Sequence, residues 1–388
     1  MIIARLLAVG VLSACLSVSC GQTGGPPTSK LVVQTKHLTW PDGSPVENGG
    51  TNYPSDIYVV DASGKHLRNL THDAATNYLI GRLSGSRRIV YESVPSDRMR
   101  AGRSRIFSMY ADGSGRRQLV SGKGELLPQL SPDGRRILFA RGPWVYVMRS
   151  DGTHKTALAQ TSFRHLDPVE PYDASWSPDG KRIALVRSFE TPKAHSRRSA
   201  LYVVNADGTG LRRLTKLRPK VLTSSPAWSP DGRNIAFNEN IALRYTAATR
   251  TYVMRADGTH VTRLDHLGDN WFWLSNDRLA YDASGYGRSK SVAADGTGVP
   301  RAVPDRVRVP GEVWVGRARV RGALWITSGR SAGFWPVSPD GKWIATAGGG
   351  SLWIAHLDGT HRRLVTRICC FGGTGLGDWA FGFEWAGS

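Results

Sequence analysis

The stretch WSPDGKRIALV, residues 176–186, places a four-residue turn between a tryptophan and a run of alternating apolar residues. Within the turn, Pro178 presets φ, the side chain of Asp179 can bond the backbone, and Gly180 accepts the left-handed conformation. The apolar residues that follow alternate with the period of two that a strand requires. The stretch therefore predicts a strand, a tight turn and a second strand.

This phrase is an internal repeat. It occurs six times when degraded copies are counted, and the other five are LSGSRRIVY from Leu83, LSPDGRRILFA from Leu130, WSPDGRNIAFN from Trp228, LSNDRLAYD from Leu274 and VSPDGKWIATA from Val337. A second phrase follows each copy, such as LYVVNADGTG from Leu201, and its Asp-Gly pair is typical of a hairpin turn. Two hairpins form a four-stranded unit, and such units must stack to bury both faces. The sequence therefore predicts an all-β ring of four-stranded antiparallel sheets.

The alternation of WSPDGxxIA with LYVVNADGTxxRRLT resembles the WD40-like repeat of TolB-type β-propellers, over nearly all of the chain from about residue 30. That family includes periplasmic translocation and envelope-binding proteins, the propeller domains of some peptidases and propellers of polysaccharide lyases. The resemblance therefore implies a single β-propeller, and it implies a scaffold more than a reaction.

The two chain ends predict how the ring closes. FGFEWAGS at the C-terminus is similar to the strand that elsewhere runs into the first phrase, and LVVQT from Leu31 is similar to the strand that follows it. With IYVVDASGKH from Ile57 they would form one composite blade, so we expect residues 31–388 to be a propeller closed by strands from both termini. This blade and six internal ones give seven, with six blades as the alternative. The long linker at 303–335 contains its own strand-like run, GALWITSG, and is where seven could fail.

The first residues differ from the rest of the chain. One positive charge at Arg5 precedes an apolar stretch and then a Gly/Pro/Thr/Ser segment, the order typical of an export signal. The apolar span is too short to remain in a bilayer as a helix. We therefore expect residues 1–19 to be an export signal and residues 20–30 to be a flexible tether.

A cysteine at the end of that apolar stretch resembles a bacterial lipoprotein cleavage site, where the new N-terminal cysteine is lipidated. Cys15 has the closer local sequence, LSAC, whereas Cys20 follows a longer apolar region and directly precedes the tether. We expect lipidation at Cys20, with Cys15 as the alternative; an ordinary secretory signal or an uncleaved anchor is the simpler interpretation. A lipid would hold the exported protein at the outer face of the cytoplasmic membrane or in the periplasm.

Cys369 and Cys370 are the cysteines that remain after a cut at Cys20. In an oxidising compartment they can form a vicinal or an intermolecular disulfide, and a reduced, partly buried pair is the alternative. No histidine has zinc-ligand spacing from them. We expect neither a metal site nor a cofactor.

The chain is strongly basic, with 51 Lys and Arg against 31 Asp and Glu and a formal net charge of +20. Arginine pairs recur at equivalent places in the repeats, at Arg116-Arg117, Arg135-Arg136, Arg212-Arg213 and Arg362-Arg363. They could form a basic rim that attracts anionic headgroups or acidic wall polymers. They could equally be a solvated face that protects strand edges. Export argues against nucleic acid as a partner.

Long loops on a rigid scaffold are where binding residues concentrate. The insertion TSFRHLDPVEPYD predicts either a polar binding loop or a solvated connection, and the aromatic run DNWFWLSN predicts either partner contacts or a core strand. The candidate binding residues are His165, Asp167, Glu170 and Asp173 in the insertion and Trp271 and Trp273 in the aromatic run.

GRSAG, residues 329–333, matches the Gly-x-Ser-x-Gly pattern of a hydrolase elbow, with Ser331 as the nucleophile. That motif works between a strand and a helix, and here a propeller phrase follows it. Without a convergent catalytic set, the sequence predicts a non-enzymatic, monomeric scaffold that binds a protein or an anionic polymer at the bacterial cell envelope. The alternatives are a propeller-type lyase or hydrolase acting on an acidic polysaccharide and a sensor domain for a membrane partner.

Overall fold

The computed structural model of the chain is all-β. It describes residues 30–36, 55–73, 75–83, 86–95, 104–121, 127–160, 174–191, 196–242, 247–265, 267, 271–282, 289–303, 306–308, 312–315, 318–321, 324–328, 331–335, 342–348, 351–357, 360–367 and 383–386.

Short strands account for most of the described residues. Those of the first half are β1 (Lys30–Lys36), β2 (Ser55–Asp61), β3 (Arg68–Asn69), β4 (Ala75–Arg82), β5 (Arg88–Pro95), β6 (Arg105–Tyr110), β7 (Arg117–Ser121), β8 (Gln129–Leu130), β9 (Arg136–Arg141), β10 (Trp144–Arg149), β11 (Thr156–Gln160), β12 (Ala174–Trp176), β13 (Arg182–Thr191), β14 (Ser196–Asn205) and β15 (Arg212–Arg213).

The strands of the second half are β16 (Val221–Trp228), β17 (Asn234–Ala242), β18 (Ala247–Arg255), β19 (Thr262–Leu264), β20 (Trp271–Trp273), β21 (Arg278–Asp282), β22 (Ser289–Ala293), β23 (Arg301–Ala302), β24 (Arg306–Arg308), β25 (Glu312–Val315), β26 (Ala318–Arg321), β27 (Leu324–Ser328), β28 (Ser331–Trp335), β29 (Trp343–Gly348), β30 (Ser351–His356), β31 (Arg363–Arg367) and β32 (Phe383–Ala386).

The strands form a series of antiparallel sheets. Four sheets each use four consecutive strands: β8–β11 (sheet 3), β12–β15 (sheet 4), β16–β19 (sheet 5) and β20–β23 (sheet 6). β4–β7 form a further antiparallel set of four (sheet 2), which a parallel bridge between Ser55 of β2 and Thr76 of β4 joins to the first strands. Sheet 1 has the order β32-β1-β2-β3, so β32, the last strand of the chain, pairs with β1, the first strand. Sheet 7, β29–β31, has three strands among the described residues. The prediction of an all-β propeller with four-stranded antiparallel units is confirmed, and the number of blades stays a prediction.

The segment between sheets 6 and 7 forms strands outside the repeat. β24, β27 and β28 form a three-stranded sheet, and β25 pairs with β26 in a separate hairpin. β26 contacts β4 and β8, the first strands of sheets 2 and 3. First strands of neighbouring sheets also contact each other, as β12 and β16 do, so the hairpin lies at the inner side of the series. This is the stretch at which the sequence left the number of blades open.

Apolar clusters join the sheets in order. Leu138 of sheet 3 packs with Trp176 and Ile183 of sheet 4, and equivalent clusters join sheets 7 and 1, 1 and 2, 2 and 3, 4 and 5, and 5 and 6. Successive residues of a strand point to opposite faces. Ile183 therefore packs toward sheet 3 while Ala184 packs toward sheet 5. Each middle strand thus contributes to two interfaces.

The turn of the first phrase is held by its own side chains. Ser177 Oγ donates to Asp179 Oδ1 at 2.5 Å, and the N–H of Arg182 donates to Ser177 Oγ at 2.9 Å. Gly180 has φ +68°, the left-handed conformation that a residue without Cβ adopts at least cost. The turns at Ser131 and Ser229 repeat these contacts. The phrase therefore specifies shape.

Residues of the same phrase also tie each turn to the next sheet. Trp228 Nε1 donates to the carbonyl of Ser175 at 3.2 Å, and the Arg182 guanidinium stacks 4.7 Å from the centre of the Trp228 ring. One sheet earlier, Arg136 stacks 5.1 Å from the centre of the Trp176 ring and donates to a turn carbonyl of sheet 4 at 2.8 Å. Sheets 3, 4 and 5 are therefore linked by residues of the repeated phrase itself.

Trp228→Ala should lower the free energy of unfolding by about 3–5 kcal/mol, because it removes a buried indole from an interface between sheets. Trp144, which is 40% exposed, provides a control of the same residue type. Trp144→Ala should lower it by less than about 1 kcal/mol. Urea unfolding measures both, and equal losses would contradict this account of the sheet interface.

The Asp-Gly turn of the second phrase is also self-contained. The hydroxyl of Thr209 donates to Asp207 Oδ1 at 2.7 Å, and the N–H of the same threonine donates to it at 2.9 Å. These two bonds hold the pKa of Asp207 below its usual value of 3.8. Thr153 and Thr259 do the same for the pKa values of Asp151 and Asp257. Each of these carboxylates is thus hydrogen-bonded within its own turn, and the three turns belong to different sheets.

Acid should weaken the fold through these turns. Because their pKa values are lower in the folded chain than in the unfolded chain, the carboxylates stabilise the fold above about pH 4, and this contribution is lost as pH falls through the folded pKa values. The triple variant D151N/D207N/D257N should melt at a lower temperature than the wild type at pH 7. It should also lose less between pH 7 and pH 3. Melting curves over that range test this, and parallel pH profiles would count against it.

Candidate functional site: the loop face

The strand directions give the propeller two unlike faces. In sheet 4, β12 runs into the turn at 177–181, β13 returns from it, and β14 runs into the turn at 206–211. We call the side that carries these short turns the turn face. We call the opposite side, at which β13 ends and β14 begins, the loop face.

Of the two segments that the sequence singled out for binding, the aromatic run has described residues at the loop face, where Trp271 opens β20. The insertion residues His165, Asp167, Glu170 and Asp173 lie outside the described residues, and so do Cys15, Cys20, Cys369 and Cys370. What the sequence suggests for these eight residues stays a prediction.

Three buried carboxylates lie toward the loop face. Asp56 stands near the start of β2, Glu92 in the second half of β5 and Glu239 in the second half of β17. They are 8%, 0% and 4% exposed, and among the described residues they are the buried acids. Removing a carboxylate from water is costly unless it is paired or hydrogen-bonded. A repeat that only built a ring would not place acids there, so the loop face is the candidate site.

Asp56 is satisfied by its neighbours. Thr71 Oγ1 donates to Asp56 Oδ1 at 2.5 Å, and Asn69 Nδ2 donates to Asp56 Oδ2 at 2.8 Å. Both partners belong to the end of sheet 1 and its link to sheet 2. Close by, Asn77 Nδ2 donates to Asp73 Oδ1 at 2.7 Å, and the Arg116 guanidinium donates to Asp73 Oδ2 at 3.0 Å. This part of the loop face fastens sheet 1 to sheet 2.

Of the two carboxylate oxygens of Glu239, one has a hydrogen-bond partner among the described residues. Arg218, from the link between sheets 4 and 5, forms an ion pair with Glu239 Oε1, and this hydrogen bond raises the pKa of Arg218. Glu239 Oε2 is buried and has no hydrogen-bond partner among the described residues. The Arg218 side chain is 47% exposed, and the exposed cations Lys216 and Lys220 flank it along the link. A bound group that donates a hydrogen bond could satisfy Oε2.

Asn238, the residue before Glu239, forms a hydrogen bond with the next sheet. Its Oδ1 accepts from Trp271 Nε1 at 2.8 Å and from Thr251 Oγ1 at 3.0 Å. Trp273 is 3% exposed and donates through Nε1 to the carbonyl of Ala227 at 3.0 Å. The structure therefore places Trp273 in the core between sheets 5 and 6, and half-buried Trp271 at the loop-face end of the same strand.

The arginine pairs make structural contacts that the sequence alone did not reveal. Arg136 stacks on sheet 4, whereas Arg135 is exposed. Arg212 and Arg213 are both exposed, and Arg212 Nη1 donates to a turn carbonyl of sheet 5 at 2.7 Å. In the last pair Arg362 stacks 4.0 Å from the centre of the Trp353 ring, and Arg363 donates to the carbonyl of Ala62 at 2.5 Å.

Sequence reasoning also missed the buried acids and Arg218. The available signal is a departure from the repeat: Glu92 stands where the equivalent strands have the apolar residues Val186 and Ala140. The equivalent apolar residues pack between sheets, so an acid at this position indicates a role other than building the ring. Comparing the copies position by position would have found Glu92.

Ser331 does not occupy a hydrolase elbow. It opens β28 opposite Ser328 of β27, so the GRSAG motif forms part of a β-hairpin. An elbow requires a helix after the serine. In the described ranges no three His, Cys, Asp or Glu side chains group as metal ligands. The same ranges contain no helix long and apolar enough to cross a bilayer.

No family model matches the chain. The TolB homolog of Chlorobium luteolum is 30% identical to it over 176 residues, which are 44% of this chain and 36% of that protein. The uncharacterized peptidase YuxL of Bacillus subtilis is 29% identical over 120 residues, 28% of this chain and 16% of that protein. The chain thus spans about a third of the first relative's length and less of the second's.

Solved structures are similar over most of the chain at low identity. The match to the tricorn protease includes 90% of this chain and 36% of the protease chain, with 10% identity and a TM-score of 0.49. The match to TolB from Acinetobacter baumannii includes 89% of this chain and 84% of the TolB chain, with 17% identity and a TM-score of 0.41.

The prediction that the chain is not an enzyme is wrong as a conclusion from the sequence, because the proteins similar to it include peptidases. Besides YuxL, dipeptidyl-peptidase 5 of Porphyromonas gingivalis is 38% identical over 64 residues. The physical reason is that the repeats encode a ring, and a ring can carry a binding surface or a catalytic site. The chain is a β-propeller that is similar to TolB homologs and to peptidases, and its repeats do not separate a binding surface from a catalytic site.

Proposed function

We propose that the chain is an exported β-propeller of the bacterial cell envelope that binds a polypeptide partner through the loop face. The observation that carries the proposal is Glu239, whose buried Oε2 has no partner among the described residues and lies beside half-exposed Arg218. Buried polar atoms are almost always hydrogen-bonded, so we expect a donor group of the partner to reach this atom when the complex forms.

The charges around Glu239 favour a polypeptide over an acidic polymer. Lys216, Lys220 and Arg250 are exposed at the loop face, and Arg250 stands opposite Glu239 in the β17–β18 pairing. A polypeptide offers N–H donors for Glu239 Oε2 and carboxylates for the surrounding cations. A uniformly anionic polymer would present like charge to Glu239.

The location is part of the same proposal. The export-like first residues and the similarity to TolB homologs support a periplasmic or membrane-anchored protein. We place the lipid on Cys20, with Cys15 as the alternative, and we take the protein to act as a monomer. Intact mass spectrometry of the protein from the membrane fraction identifies the lipidated residue.

Photo-crosslinking in living cells tests which face binds. A photoreactive amino acid at Lys216, Lys220 or Arg250 should yield a covalent adduct with a polypeptide, whereas the same amino acid at turn-face Lys181 or Arg233 should yield little. E239Q and R218A should each lower the loop-face yield by at least about fivefold, because charged hydrogen bonds at interfaces are strong. Adducts formed equally from both faces would refute the proposal, and so would adducts formed from the turn face alone.

Peptide hydrolysis is a second candidate, favoured by the similarity to two peptidases. The purified full chain would be incubated with an unfolded protein substrate and the products identified by mass spectrometry. Products that disappear in E239Q and persist in S331A would assign hydrolysis to the loop face. Absence of products under conditions in which the partner crosslinks would eliminate this candidate.

A further inference from the structure

Two histidines meet at the turn-face end of sheet 7. β30 ends at His356, and His361 lies two residues before β31. Their ring centres are 4.5 Å apart, and the ring planes are tilted by 33°. The N–H of His356 donates to the carbonyl of Thr360 at 3.0 Å, and this hydrogen bond holds the two histidines at neighbouring positions.

Other sheets do not repeat this pair. His154 and His260 occupy the position of His361 in sheets 3 and 5, where the same backbone hydrogen bond closes the turn. In those two sheets the position of His356 is occupied by an arginine: Arg149 and Arg255. Sheet 7 is thus distinguished from them by a second imidazole.

The backbone of His361 has a conformation that favours glycine. Its φ is +53°, in the left-handed region where a residue with Cβ is less stable than glycine. The equivalent residue of sheet 4 is Gly210, with φ +67°. A histidine at such a position indicates a role for the imidazole other than forming the turn.

The turn also favours one tautomer of His361. In the equivalent turn of sheet 3, Thr153 donates its hydroxyl hydrogen to Asp151 at 2.6 Å, so its oxygen is left to accept from Nδ1 of His154 at 2.9 Å. Thr360 Oγ1 makes the same contact with His361 Nδ1, at 3.0 Å. A hydrogen on Nδ1 leaves the lone pair on Nε2, and an oxygen acceptor at the other ring nitrogen is usual for histidines that bind metal ions.

The core positions the second imidazole. The ring of Trp343, which is 6% exposed in the cluster between sheets 7 and 1, meets the His356 ring edge-on with the centres 4.1 Å apart. His356 is half-buried and His361 is exposed. The neighbouring cation Arg362 is stacked on the Trp353 ring. One imidazole is therefore held by the core, and the other is accessible from solvent.

We infer that His356 and His361 together bind one divalent ion of the late first-row transition metals, such as Zn²⁺ or Cu²⁺. Imidazole nitrogens suit these ions and bind them at about 2.0–2.1 Å. At that bond length, two imidazoles in adjacent positions of one ion have ring centres about 4.5–5 Å apart, which agrees with the observed 4.5 Å. This site departs from the expectation of no metal site, because the pair forms only when the strand end and the turn fold together.

Metal titration of the full chain tests the site. The parent protein would carry no polyhistidine tag and would have serine at all four cysteines, C15S/C20S/C369S/C370S, so that thiols do not compete for the ion. Isothermal titration calorimetry with Zn²⁺ measures the affinity and the number of ions bound. Electron paramagnetic resonance of the Cu²⁺ complex then counts the nitrogen ligands.

Two variants remove one imidazole each. H361G and H356N place in sheet 7 the residues that sheet 4 has at the same positions, Gly210 and Asn205, so the turn can form in both. H260G is the matched control, because it makes the same change at a turn in which the corresponding strand position carries an arginine.

H361G and H356N should each bind Zn²⁺ at least about tenfold more weakly than the parent, because loss of a ligand weakens a metal site at least as much as loss of an outer contact does. H260G should differ from the parent by less than about twofold. Equal losses in H260G and H361G would show that exposed imidazoles bind the ion singly and would overturn the inference. Unchanged affinity in H361G or H356N, or no binding by the parent, would overturn it as well.

The Cu²⁺ spectrum should show two imidazole nitrogens in the parent and one in each of H361G and H356N, and an identical nitrogen count in all three would contradict a shared site. Melting temperatures without metal check folding, and H361G should melt no lower than the parent because glycine suits the left-handed backbone. These measurements need neither a lipid anchor nor a partner. Their failure therefore leaves the crosslinking result and the mass of the lipidated protein unaffected.

Discussion

The ring depends on one repeated contact between neighbouring sheets. A tryptophan at the end of the first strand of one sheet packs against the preceding sheet. No sheet here can bury both faces alone, so stability requires each to pack on two neighbours. Trp228 does this through its buried ring, its bond to the Ser175 carbonyl and the Arg182 guanidinium stacked on it. The phrase that makes the turn therefore also makes the junction, and repetition of the phrase repeats both.

This arrangement separates the tasks of the two faces. On the turn face the chain uses nearly the same residues in every sheet, and their hydrogen bonds close within one turn, so these turns differ little from sheet to sheet. On the loop face the connections differ in length, Glu92 stands where equivalent strands have apolar residues, and Glu239 is buried as well. A varied surface of this kind suits a specific polypeptide.

The sequence predicted the features that local chemistry controls. Turn residues such as Ser177 and Gly180 and the period-two strands depend on neighbours a few residues away, so each copy could be read alone. Glu239 and Arg218 are 21 residues apart and meet through the packing of two sheets, and the contact of the β25–β26 hairpin with β4 and β8 spans most of the chain. No local pattern encodes such contacts. The exclusion of enzymatic activity failed for a related reason, since a repeat describes the scaffold and not what the scaffold carries.

Hydrogen exchange of the full-length protein, read peptide by peptide with mass spectrometry, tests the difference between the two faces most directly. When the crosslinking partner binds, peptides that cover the loop-face segments at 216–221 and 238–242 should exchange more slowly than in the free protein. Peptides that cover the turns at 177–181 and 229–233 should exchange at the same rate in both states. Slower exchange confined to the turn peptides, or no difference between the faces, would contradict a propeller that binds its partner through the loop face.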